Sequence, residues 1–126
     1  GDLKKNILEE QLAATTDTPE LVYSASSAAQ KKVNVTIPGL SLSKKKWVKV
    51  RVNGKKISIL KLRRSENDTI LLLNLKYKKW AVEKYDMRLS YKNMEKRSVT
   101  NKKGKVVQKN VWIWKSAIAK ELFSII

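Results

Sequence analysis

Residues 44–64 read KKKWVKVRVNGKKISILKLRR, and the alternation of apolar and cationic side chains there decides what kind of fold the chain adopts. Two period-two runs, KWVKVRV and KKISILKL, flank Asn53-Gly54. A type I′ turn needs positive φ at both central positions, and Asn-Gly meets that need at little cost, so the stretch predicts a tight β-hairpin. With a two-residue loop, position i faces position 107 − i: Val52 faces Lys55, Arg51 faces Lys56, Val50 faces Ile57, Lys49 faces Ser58, Val48 faces Ile59 and Trp47 faces Leu60. Side chains alternate between faces, so one side gathers Val48, Val50, Val52, Ile57 and Ile59. The other gathers Lys49, Arg51, Lys56 and Ser58, bordered by Trp47 and Leu60. The apolar side is a core face, each residue on it contributing about 1.5–3 kcal/mol on burial. The cationic side sets Arg51 opposite Lys56, a like-charge cross-strand pair that costs stability unless a negative partner meets it. Lysine also guards sheet edges against aggregation, so a merely solvated face is the competing reading.

Working outward, β-branched and aromatic residues keep period two from residue 33, with turn signals at intervals of roughly ten residues. VNVTI stops at Pro38-Gly39, SEND breaks the chain before TILLLNLKY, MRLSYKN follows Asp86, and KVVQKNVWIW follows the TNKKGK turn. In SAIAKELFSII, Ser116 offers an N-cap and Ala117, Ile118, Leu122 and Ile125 or Ile126 recur at helical spacing, which predicts a C-terminal helix. At the other end, Leu3, Ile7, Leu8 and Leu12 behind an Asp2 cap predict a short amphipathic helix. Thr18, Pro19 and Glu20 form a second helix start, whose body SASSAAQ serves equally well as a linker.

The expected fold is therefore mostly β with α elements: a small antiparallel β-barrel or sheet pair of about five to seven strands, with a C-terminal helix and a short helical N-terminal segment. Residues 1–30 read as the helical or linker segment and residues 31–126 as a basic β domain. An oligonucleotide-binding (OB-like) or SH3-like barrel fits this element order, and so does a pleckstrin-homology-like barrel with a C-terminal helix over one open end.

Charge divides along the same boundary. The chain of 126 residues carries 28 Lys and Arg against 11 Asp and Glu, a net of +17. Residues 1–30 hold 2 cations and 5 acids, a net of −3, which leaves 26 − 6 = +20 for residues 31–126. Such an excess repels itself unless an anionic partner offsets it. Cysteine and histidine are both absent, which removes disulfides, thiolate chemistry, the commonest general base and the commonest metal ligand. There is neither a Walker loop, a GxGxxG turn nor a metal-ligand cluster, and Glu66-x-Asp68 sits where such residues simply favour chain reversal. A metal-free ribonuclease working through Lys, Arg and Tyr needs a spacing that nothing here singles out. The expectation is a non-enzyme with no cofactor or metal. No apolar run of membrane-spanning length and no secretory leader is visible, so a soluble intracellular protein is expected. Gly1 in place of Met, and an end inside the apolar run Phe123-Ser124-Ile125-Ile126, predict an excised piece of a longer protein.

These features predict a module that binds DNA or RNA mainly through phosphates, with little sequence specificity. Its candidate contacts on the hairpin are Lys44, Lys45, Lys46, Trp47, Lys49, Arg51, Lys55, Lys56, Arg63 and Arg64. Lys76, Lys78, Lys79 and Trp80 extend the set in LKYKKWAVEKY, where Tyr77, Trp80 and Tyr85 alternate with cations as base-stacking or core aromatics. Lys102, Lys103 and Lys105, with Lys96, Arg97 and Lys109 nearby, form a cationic loop able to follow a phosphate backbone. In VWIWK, Trp112 is the better candidate for a partner contact and Trp114 for core contact. The competing expectations are an assembly module docking an acidic protein and, third, a pleckstrin-homology-like binder of anionic lipid.

Overall fold

A computed structural model describes residues 10–22, 32–75 and 80–126. Among these residues nine strands follow one another: β1 (Glu10–Gln11), β2 (Thr15–Thr16), β3 (Glu20–Leu21), β4 (Lys32–Ile37), β5 (Val48–Val52), β6 (Lys55–Ser65), β7 (Asp68–Asn74), β8 (Lys84–Thr100) and β9 (Val106–Ile125). They pair in the order β1-β9-β8-β5-β6-β7-β4-β2, with β3 also on β9. Every one of these pairings is antiparallel except those of β1 and β3 with β9, which are parallel.

The Asn-Gly hairpin forms as the sequence predicts. Asn53 and Gly54 take φ of 52° and 73°, and Val50, Arg51 and Val52 face Ile57, Lys56 and Lys55. The register then departs from expectation, because the β5–β6 ladder ends at Val50–Ile57. Beyond it β6 pairs with β7, from Ser58–Asn74 to Ser65–Asp68, with a bulge between Ile59 and Lys61. β5 meanwhile continues along β8. Lys49, Val48 and Trp47 therefore do not face Ser58, Ile59 and Leu60. A strand that changes partners at a bulge turns a corner, and β6 is the bend around which the sheet curls.

The result is a curled half-barrel, with β9, β8 and β5 on one side and β6, β7 and β4 on the other. Residues 10–21 straddle the opposite seam: β1 lies on Ala117 and Ile118 of β9, β2 crosses to Val35 and Thr36 of β4, and β3 returns to Ser124 and Ile125 of β9. Val33, Val35, Ile37, Val50, Val52, Leu71, Leu73, Met87, Leu89, Ala117 and Phe123 fill the concave side. Thr69 is buried there with its hydroxyl satisfied, donating to the Leu40 carbonyl and accepting from the Leu42 amide at 3.1 Å.

Two helical expectations are overturned. Residues 116–125 continue β9 instead of forming a C-terminal helix. The cause is a bulge: Met87 pairs with Ala119 and Tyr85 with Phe123, so one residue of β8 opposes three of β9. Glu121 takes φ of 50°, and its amide donates to Asp86 at 2.7 Å. The extra residues shift the phase of the apolar pattern, so that Ile118, Leu122 and Ile125 mimic helical spacing while the chain stays extended. At the N terminus, the described part of the predicted helices is extended, and residues 1–9 and 23–31 lie outside the described residues. Glu10 owes its place to edge pairing on β9 and to Tyr91, whose hydroxyl donates to its carboxylate at 2.7 Å. Tertiary pairing has overridden a weak local helix preference.

Candidate nucleic-acid interface

The ladders β6–β5–β8–β9 define the convex face residue by residue. One row across the strands holds Lys56, Arg51, Arg88 and Ile118, and the next along β5 holds Lys49, Ser90 and Ser116. A further step along β8 brings Lys92 beside Trp114, then Met94 beside Trp112, then Lys96 beside Asn110. Alternation puts Val48, Val50, Val52, Leu89 and Ala117 underneath, all buried, as the hairpin pattern predicts. From Arg88 to Thr100 on β8, and at the facing positions of β9, the convex side carries no acidic residue. Acids stand at the turn end, where Glu83 and Asp86 line an open pocket of about 340 Å³ with Arg51, Lys84 and Arg88.

The tryptophans separate into two environments. Trp80, expected among the binding residues, belongs to the core: its indole N–H donates to the Leu75 carbonyl at 3.0 Å, and its ring meets Tyr85 edge-on at 5.0 Å. It is therefore not free to stack on a partner, although Lys55 lies over the ring at 5.2 Å. Trp47, at the end of a short 3-10 turn (Lys45–Trp47), lies 5.0 Å from Trp112 across the convex face. Trp112 and Trp114 are 43% and 48% exposed, so Trp114 does not pack into the core as its sequence position predicts. Each of the three rings has an ammonium over it: Lys44 on Trp47 at 5.1 Å, Lys92 on Trp112 at 5.6 Å and Lys49 on Trp114 at 4.9 Å. Lys49 reaches Trp114 past β8, where Ser90 is the small residue of the intervening row.

Where β5 and β6 part, an open cleft of about 360 Å³ lies between Lys45, Lys46 and Lys49 on one side and Lys56 and Ser58 on the other. The Lys45 ammonium reaches across to the Leu60 carbonyl at 3.5 Å. Lys44, Lys45, Lys46, Trp47, Lys49, Arg51 and Lys56 thus stay together, whereas Lys55 pairs with Val52 at the phase of the core side and lies over Trp80. Arg63 and Arg64 do not join it. They lie on the far half of β6, about 24 Å along the strand from Lys56, where Arg63 donates to Asn34 at 3.5 Å and Arg64 to Ser41 at 3.1 Å. Lys76, Lys78 and Lys79 lie outside the described residues.

Lys102, Lys103 and Lys105 stand at the tip of an arm. Past Lys92 and Lys115 the β8–β9 hairpin leaves the barrel as a two-stranded ribbon about 30 Å long, and every residue from Lys96 to Asn110 is exposed. The Asn101 carboxamide accepts from the amides of Lys103 and Lys105 at 2.9 and 3.0 Å, which fixes the loop. Residues 92–115 carry eight cations and one acid. That acid, Glu95, is engaged by Lys115 at 3.0 Å and Arg97 at 3.9 Å.

Sequence reasoning missed Arg88 and Lys92 on β8, and the meeting of Trp47 with Trp112. Arg88 and Lys92 lie within MRLSYKN at its polar phase, which was a readable signal; the meeting of the two indoles depends on β5–β8–β9 pairing, which no local pattern encodes. Among the described residues, no group of three or more His, Cys, Asp or Glu converges, and no helix is long and apolar enough to cross a membrane. No family model, no curated protein and no solved structure matches the chain.

Proposed function

We propose that this chain is a non-catalytic nucleic-acid-binding module that grips phosphates through the convex face of β6, β5, β8 and β9. One observation carries the reading: Lys56 and Arg51 stand side by side across β6 and β5, followed along the same face by Lys49, Lys92 and Lys96. Like charges on neighbouring strands oppose folding, and a polyanion laid along the rows turns that cost into affinity. The arm lengthens the same basic track to Lys102, Lys103 and Lys105. With contacts of this type dominating, affinity depends on salt more than on sequence.

The test is a mobility-shift titration with DNA and RNA, single- and double-stranded, at about 50 mM salt, where phosphate contacts are strongest. Binding should weaken steeply as salt rises. Replacing Lys49, Arg51 and Lys56 together by Glu should weaken binding about tenfold or more while leaving the urea midpoint nearly unchanged, since all three are exposed. Absence of any shift at low salt rejects the reading, and unchanged affinity of the triple variant moves the site to another surface.

A further inference from the structure

We infer that the ligand of this face is single-stranded nucleic acid, with unpaired bases stacking on Trp47, Trp112 and Trp114; the inference rests on the reading of the face proposed above. The chain shows that it can bury an indole, because Trp80 is only 7% exposed with its N–H satisfied. Leaving Trp112 and Trp114 nearly half exposed on adjacent outward positions of β9 is thus a property of those positions, not of a domain too small for its aromatics. The exposed ring faces have the ammonium groups of Lys44, Lys49 and Lys92 over them. A cation over an exposed ring is weakly held, and a stacked base is held more strongly. An incoming strand can therefore displace each lysine from its ring and receive it on a phosphate, satisfying both groups.

The occupant must offer flat π-faces and regularly spaced negative charge together. A duplex offers the charge, but its base faces are covered by neighbouring pairs; a carboxylate-rich peptide offers charge that the electron-rich face of an indole does not attract. An unpaired strand offers both. The spacing agrees: Trp112 and Trp114 are two residues apart on one strand, hence about 6.8 Å, close to two rises of about 3.4 Å along a nucleic-acid strand. Beside them the short side chains of Ser90 and Ser116, crossed by the Lys49 side chain that an incoming strand displaces, leave a low row between Lys92 and Trp114 on one side and Arg51 and Arg88 on the other. That row is a path for the backbone next to the stacking rings.

The experiment is a titration of the intact chain, followed by tryptophan emission and by anisotropy, with three probes: a thymidine strand of about 12 nucleotides, within the site sizes of single-strand binders, a duplex of equal length, and inorganic polyphosphate of equal charge. The single strand should quench the exposed indoles and bind at least about tenfold more tightly than polyphosphate. Trp112→Ala with Trp114→Ala should remove that preference, a loss of about ten- to hundredfold for the strand, while polyphosphate affinity stays as it was. Trp112→Phe with Trp114→Phe should retain most of it and guards against a folding defect. Preference for the duplex, equal affinity for polyphosphate, or an unaffected Ala variant overturns the inference and leaves the phosphate-binding reading standing. Failure of all three probes to bind overturns that reading itself.

Discussion

β8 and β9 each serve two regions of the molecule. Their barrel halves, residues 84–91 and 116–125, bury Tyr85, Met87, Leu89, Tyr91, Ala117, Ala119 and Phe123 against the core. Their arm halves, residues 92–100 and 106–115, hold no buried residue: apart from the contact of Trp112 with Trp47 at their root they lie over solvent, and Val99, Val106 and Val107 stand exposed among cations. The barrel half is held by burial, whereas the arm is held by its ladder, the Glu95 ion pairs and one asparagine in the loop. An isolated two-stranded ribbon is marginal in water, so the arm exists because the barrel fixes its root. Residues there are released from core duty, and exposed positions of this kind tolerate substitution with little effect on stability. The side chains that the arm and the convex face carry are therefore more telling of function than those of the core.

The contrast breaks most directly at Leu89, which is fully buried. Leu89→Ala should cost about 2–5 kcal/mol by urea denaturation, whereas Val99→Ala on the same strand should cost no more than about 0.5 kcal/mol. Similar values for both would mean that the arm is part of the cooperative core. Excision comes next. Met94 and Trp112 face each other, so an Asn-Gly turn can replace residues 95–111. The shortened chain should keep its stability within about 0.5 kcal/mol, while its salt slope on duplex DNA flattens by about 0.9 for each phosphate that the arm had neutralised. A stable product with an unchanged slope would take the arm out of binding.

Tyr91 marks the boundary between the regions. Burial, then the hydrogen bond to Glu10 and the charge of that carboxylate, push its phenol up to about 12. The folded state thus favours the protonated form: its contribution is fully present below the ordinary value of about 10 and is lost as pH rises toward 12. Stability should fall between about pH 10 and 12, and Tyr91→Phe should remove that part of the alkaline loss. The smallest effect belongs to the loop. Asn101→Ala should speed amide exchange at Lys103 and Lys105, a local change of about 0.5–1.5 kcal/mol, and leave residues 84–91 untouched.

What was legible in the sequence is what local chemistry controls. Asn53-Gly54 fixed a turn and three cross-strand pairs, and alternation sorted Val48, Val50 and Val52 from Lys49 and Arg51. The two bulges were not legible, because a bulge changes phase without changing composition: the one at Ile59–Lys61 ended the hairpin register early, and the one opposite Asp86 made a strand resemble a helix. Leu12 illustrates a third limit. Its helical spacing was real, but Gln11 and Thr16 take their conformation from β9 and β4, strands more than a dozen residues away. Of the candidate site, the hairpin cations were readable from one segment, whereas the platform of Trp47, Trp112 and Trp114 draws on segments joined only by the sheet.

The seam crossed by residues 10–21 also sets an order of events. Glu10 meets Ala117 across 107 positions (117 − 10), and Leu21 meets Ile125 across 104 (125 − 21), among the longest-range pairings in the fold. Pairings so remote are slow to form, and during synthesis the N-terminal segment emerges long before β9 exists to receive it. Until then the growing chain carries open strand edges, the usual seeds of aggregation. Residues 1–105 already carry 25 − 10 = +15, a net charge that keeps such half-made copies apart, so the cations proposed to hold a polyanion also protect the chain while it waits for β9.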